Sequence, residues 1–206
     1  MKFDGFEKVG DVLLCSIYFT LCSIPVFTAG ASATAMHYAL RRSIAGEGTL
    51  TRDFFTAFRR EFRQATGIWL IYLLIFAGLI SNFWLVSNWE GTLALVVQTA
   101  LIVVAVISVL SVSLVFPLLA RFSNSTRQML KNSLLLSLAS PLRSLAAGAL
   151  NVLPLALAVF LPNLFAVTSI CWVLVLSGAS GYAVQRLYAS LFARIEANVI
   201  AANESA

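Results

Sequence analysis

Four stretches of this chain carry no Asp, Glu, Lys or Arg: residues 12–40, 64–89, 91–120 and 144–185. A helix needs about 20 consecutive apolar residues to cross the hydrocarbon core of a bilayer. Each run is long enough for one crossing, and the last is long enough for two. The composition agrees, with 60% hydrophobic and 11% charged residues against about 25% charged in an ordinary soluble domain. A soluble monomer would show water more apolar surface than its charges could screen, and a disordered chain would be poor in hydrophobics. The expectation is one integral membrane domain over 1–206, an all-α polytopic bundle, with no room for a soluble catalytic domain beside it.

Turns and charges divide the runs. Pro162 and Asn163 break the last one into spans over 144–161 and 164–184. Ser87, Asn88, Glu90 and Gly91 form a polar turn between spans over 65–87 and 92–119, with Trp84 and Trp89 at interfacial depth. The segments 41–63 and 121–143 and the C-terminal tail are basic, whereas the turns at Asn88 and Asn163 hold no Lys or Arg. Basic loops stay in the cytoplasm, so the two short turns are expected outside and the C-terminus inside. The net charge of +5 is explained by orientation and anionic lipid, so no nucleic-acid partner is expected.

The first run admits two readings. One tilted helix over 12–40 would give five spans and an external N-terminus. A break at Ser23–Gly30, where Pro25 and Gly30 disfavour a continuous helix, would give a hairpin of two short segments. The hairpin keeps Lys2 and Lys8 inside with the other basic segments and is favoured on that ground. The membrane segments thus number five to six. Asp4, Glu7 and Asp11 crowd the region that a secretory leader would make basic, so cleavage after Ala33 or Ala35 is not expected.

Residues 51–64 read as an amphipathic helix. Phe54, Phe55, Phe58 and Phe62 share about a third of its circumference, and Arg52, Arg59 and Arg63 lie opposite. Thr51 suits the N-cap, and Asp53 the positive end of the helix dipole. Such a helix is expected to lie in the cytoplasmic interface or to dock a partner. A weaker basic amphipathic helix covers 120–139. Both precede an apolar span, which hints at a distant internal duplication.

The chain lacks GxxxxGK[ST], HExxH, GxSxG and GxGxxG patterns. His37 is its single histidine, and Cys15, Cys22 and Cys171 lie in apolar segments without metal-ligand spacing. Neither an enzyme nor a cofactor site is expected. Small and hydroxyl-bearing residues stand out instead. Residues 29–35 are small without exception, and Ser177–Gly181 form a second such stretch. Both are expected to be tight helix seams, and Gln98, Ser108, Ser111, Ser113 and Asn151 to face protein.

Three motifs then carry a resemblance. Pro25, Thr28, Gly30, Thr34 and Ala35 form a P-x-x-T-x-G-x-x-x-x-A pattern followed by Tyr38. The aromatic-basic run FFTAFRREFRQATGIW leads into a span through Gln64, Ala65 and Trp69. Phe116 and Pro117 precede Arg121 and Phe122, with Lys131, Asn132 and Pro141 beyond. In this order the chain resembles the YesL-like family of bacterial integral membrane proteins, a domain of unknown function, over about 25–141. The resemblance implies a multi-pass protein of the bacterial cytoplasmic membrane and no assigned reaction. It also implies encoding beside carbohydrate uptake and degradation systems that include ABC sugar importers. The expected role is therefore a non-enzymatic accessory to carbohydrate uptake, with the lipid bilayer and importer subunits as partners. The alternative is a small-solute transporter or channel acting on its own at the Pro25–Gly30 break. The sequence leaves the oligomeric state open.

Overall fold

A computed structural model describes residues 4–204. Among them the chain is almost wholly helical, with no strand. The elements are α1 (Asp4–Ser23), a 3₁₀ turn (Val26–Thr28), α2 (Ala29–Ala45), α3 (Leu50–Val86), α4 (Thr92–Leu119), α5 (Thr126–Ala139), α6 (Pro141–Phe160), α7 (Pro162–Cys171), a π-helical segment (Trp172–Leu176) and α8 (Ser177–Glu204). Four helical stretches are long and apolar enough to cross a membrane: Leu50–Val86, Thr92–Leu119, Pro141–Phe160 and Thr168–Ala197.

The first apolar run is not one helix. Its chain bends at Pro25, whose extended backbone (φ −74°, ψ 108°) cannot continue α1. The two arms then lie antiparallel. Ser32 Oγ donates to the Phe19 carbonyl at 2.9 Å, Cys15 Sγ sits 3.9 Å from the Met36 carbonyl, and Ser43 Oγ donates to Asp11 at 2.5 Å. Pairing falls in α1 as it rises in α2, which defines a helical hairpin. Lys2 lies outside the described residues.

α2 ends at Gly46, whose positive φ of 73° turns the next N–H, that of Glu47, back to the Arg42 carbonyl at 2.9 Å. Gly48 (φ 72°) completes the turn into α3. Thr49, rather than Thr51, occupies the N-cap of α3. Thr51 instead meets the Tyr18 hydroxyl at 3.1 Å.

α3 departs from the expected boundary. An amphipathic helix over 51–64 followed by a span over 65–87 becomes one uninterrupted helix of 37 residues, about 55 Å long at 1.5 Å per residue. Gln64, Ala65 and Thr66 contain no breaker, so nothing ends the helix where its surroundings change. α4 returns antiparallel to it. Gln98 reaches the Val86 carbonyl at one end, and Tyr72 meets Ser111 at 2.6 Å further along. Beyond α4, Gln64 Nε2 donates to the Asn124 carbonyl at 2.7 Å. The second amphipathic stretch starts later than expected, because residues 122–125 are irregular and Ser125 caps α5. A break at Ser140 separates α5 from α6, so the two basic helices are joined to their following helices differently.

Candidate functional site

The break motif is a junction of three helices. The Thr28 hydroxyl lies 2.5 Å from the Cys22 carbonyl and 2.7 Å from that of Pro25, and shares its proton between them. These are acceptors that the end of α1 leaves open. Trp69 Nε1 on α3 donates to the Val26 carbonyl at 2.7 Å. Gly30 then sits where a Cβ would fall 2.6 Å from Trp69 Cβ, 2.7 Å from the Ala65 carbonyl and 3.1 Å from Phe116. Only glycine lets α2 approach α3 and α4 this closely. Thr34 is buried and donates to the Gly30 carbonyl at 3.0 Å, and Ala35 is buried against Phe54 and Ala57. Pro25, Thr28, Gly30, Trp69 and Phe116, scattered over three motifs of the sequence, therefore meet in one place.

Much of the phenylalanine face packs against protein. Phe54 is fully buried, with Tyr18 of α1 at 5.6 Å and Phe58 at 6.4 Å between ring centroids. Phe58 touches Phe62 at 5.4 Å, and both pack on the core. The α1–α2 hairpin covers this face, which is apolar surface enough to satisfy it. Phe55 is the exception, 40% exposed beside Tyr18. Arg52, Arg59 and Arg63 remain exposed. Phe54 is thus closed to a partner, Phe58 and Phe62 are half-buried, and Phe55, Arg59 and Arg63 are exposed.

Ser177–Gly181 is a crossing point. A Cβ on Gly178 would overlap the Val12 carbonyl and Ser16, and one on Gly181 would come 2.8 Å from Met36. The Gly178 N–H donates to Ser16 Oγ at 2.8 Å, and Gln185 Nε2 to the His37 carbonyl at 3.0 Å. Thr20 and Ser16 of α1 meet the Val173 and Val175 carbonyls before Gly178 is reached, so the segment runs along α1 and then turns to Met36 and His37 of α2. His37 is buried there, a packed imidazole on an apolar seam. Of the other polar residues, Ser111 links Tyr72 to Ser133 at 3.0 Å. Ser108 and Ser113 are buried but bond within α4, and Asn151 is exposed.

Sequence periodicity gave no sign of a second cluster, because its members come from four elements. Arg42 Nη1 pairs with Asp53 at 3.1 Å, and Arg121 Nη1 with Glu196 at 3.2 Å. Arg41 and Arg60 both stand over the Tyr38 ring, with Cζ 5.5 and 5.0 Å from its centroid.

Among the described residues no three His, Cys, Asp or Glu side chains are grouped to hold a metal. A groove of about 340 Å³ opens between α3, α4 and α5 beside Tyr72, Ser111 and Leu134. Another of about 400 Å³ opens between α3 and α4 beside Phe83, Trp84 and Ile102. Both are open and almost wholly apolar, which suits lipid chains better than a sugar.

No curated protein and no solved structure matches the chain. The match that does occur covers the hairpin and most of α3, the elements that the break motif ties together. Residues 13–83 match the family described as Protein of unknown function, DUF624, in keeping with the YesL-like resemblance.

Proposed function

We propose that this is a non-enzymatic protein of the bacterial cytoplasmic membrane that assists carbohydrate uptake by docking on an ABC-type importer. The observation that carries the docking is the division of α3. Its buried residues seat the hairpin, while Arg52, Phe55, Arg59 and Arg63 stay exposed on the same helix. An exposed aromatic among arginines suits an acidic protein surface. The carbohydrate part rests on the neighbourhood that the YesL-like resemblance implies.

The membrane placement draws support from the four long apolar stretches. We count the α1–α2 hairpin as two short segments dipping from the cytoplasmic side, which brings the membrane segments to five or six. The basic loops and the C-terminus face the cytoplasm on the positive-inside argument. The apolar tip of the hairpin, Ile24, Val26 and Phe27, is exposed and meets the inner edge of the hydrocarbon beside Trp69.

The test is crosslinking in intact cells followed by affinity purification in mild detergent. Importer subunits are expected with the wild-type chain and absent with Arg59→Glu/Arg63→Glu. Recovery of no importer subunit with the wild-type chain overturns the proposal. Transport by the chain alone is the weaker reading. It needs free polar groups at the helix break, and the carbonyls of Cys22, Pro25 and Val26 are already hydrogen-bonded to Thr28 and Trp69.

A further inference from the structure

We infer that Arg41, Arg60 and Arg121, gathered around Tyr38 and Phe192, form a site for the phosphate of an anionic lipid at the cytoplasmic membrane surface. The inference rests on the membrane reading above.

The three guanidiniums arrive from α2, from α3 and from the corner after α4. Arg41 and Arg60 share the Tyr38 ring, and Arg121 stands over Phe192 at 4.6 Å. Arg60 is paired with Glu61 at 2.6 Å and Arg121 with Glu196. Arg41 has a ring neighbour but no carboxylate partner among the described residues. The Nε atoms of Arg41 and Arg121 are both buried without a hydrogen-bond acceptor. The Arg121 side chain is only 13% exposed. Burial lowers its pKa below the ordinary guanidinium value; Glu196 acts against that, and the nearby Arg41 adds to it.

Glu196 answers the charge of Arg121 but not that of Arg41, and neighbouring cations with unused buried donors are relieved by an anion between them. A guanidinium fork matches phosphate oxygens in geometry as well as charge. Depth selects lipid as the source of that phosphate. Arg60 stands five residues before Ala65, about 8 Å of helix rise, near the start of the apolar run of α3. Arg121 follows α4 by two residues. Both therefore lie at headgroup depth on the basic side, where anionic lipids settle between helices.

The experiment uses the full chain, stripped of lipid in detergent, with phosphatidylglycerol, phosphatidylcholine or inorganic phosphate added. Native mass spectrometry reads retained lipid, and thermal unfolding reads stabilisation. Phosphatidylglycerol is expected to stay bound and to raise the unfolding temperature, and the other two probes to do neither. Arg41→Gln should cut phosphatidylglycerol retention about tenfold. Without lipid it should unfold no lower than wild type, because it also removes the repulsion. Arg121→Lys, which keeps the charge and loses the fork, should weaken retention in the same way. Arg59→Gln, on the docking face, should retain lipid fully, so failure of importer docking and failure of this site read separately. Three outcomes overturn the site: full retention by both Arg41→Gln and Arg121→Lys, equal retention of phosphatidylcholine, or full stabilisation by inorganic phosphate alone.

Discussion

The indole of Trp69 donates a hydrogen bond of 2.7 Å to the backbone carbonyl of Val26. One contact thus anchors the tip of the α1–α2 hairpin to the middle of the longest helix. Trp69→Phe keeps an aromatic ring, though a smaller one, and deletes the donor. A bond of this kind contributes about 1 kcal/mol, so the unfolding temperature in detergent should fall by about 2–4 °C.

Glycine positions separate close approach from empty space. Gly30→Ala drives a methyl against backbone and Trp69, and overpacking of that kind costs about 1–3 kcal/mol. Gly67, on the same α3, has nothing within 4 Å of an added Cβ. Gly67→Ala should leave stability unchanged or raise it by up to about 1 kcal/mol. Thermal unfolding of the two variants side by side checks the contrast, and equal losses would contradict the close contact at Gly30.

Adjacent phenylalanines should respond in opposite ways. Phe54→Ala opens a cavity in a fully buried position, at about 3–5 kcal/mol. Phe55→Ala removes a half-exposed ring, at about 1 kcal/mol, and should spare folding while weakening importer recovery. Expression level and unfolding temperature read the first effect, and crosslinking yield the second.

Orientation is open to a labelling test. In a background without Cys15, Cys22 and Cys171, cysteines placed at Asn88 and Asn163 should react with an impermeant maleimide in intact cells. One at Ser123 should react only after lysis. The reverse pattern would invert the topology.

Part of this architecture is legible in the residues themselves. The charge-free runs set out the long helices, because burial in lipid forbids charge over about 20 positions. Pro25 and Gly30 mark the hairpin break, because neither suits the middle of a helix. The phenylalanine face is the instructive failure. Periodicity says that Phe54, Phe58 and Phe62 share a side of a helix, but it does not say whether lipid or protein covers that side. The covering element, α2, opens on the small residues 29–35, which signal closeness without naming a partner. The arginine cluster escaped for a related reason. Arg41, Arg60, Arg121 and Glu196 lie up to 155 residues apart, and the packing of α2 on α3 and of α8 beside Arg121 brings their neighbourhoods together.

The unbroken run of α3 also has a mechanical meaning. Its two halves share one continuous ladder of backbone bonds, with no proline or glycine pair to act as a joint. A tug on the half that carries Arg59 therefore cannot be absorbed locally. It must swing the far end near Trp84, so whatever grips one end of this beam also tilts the other.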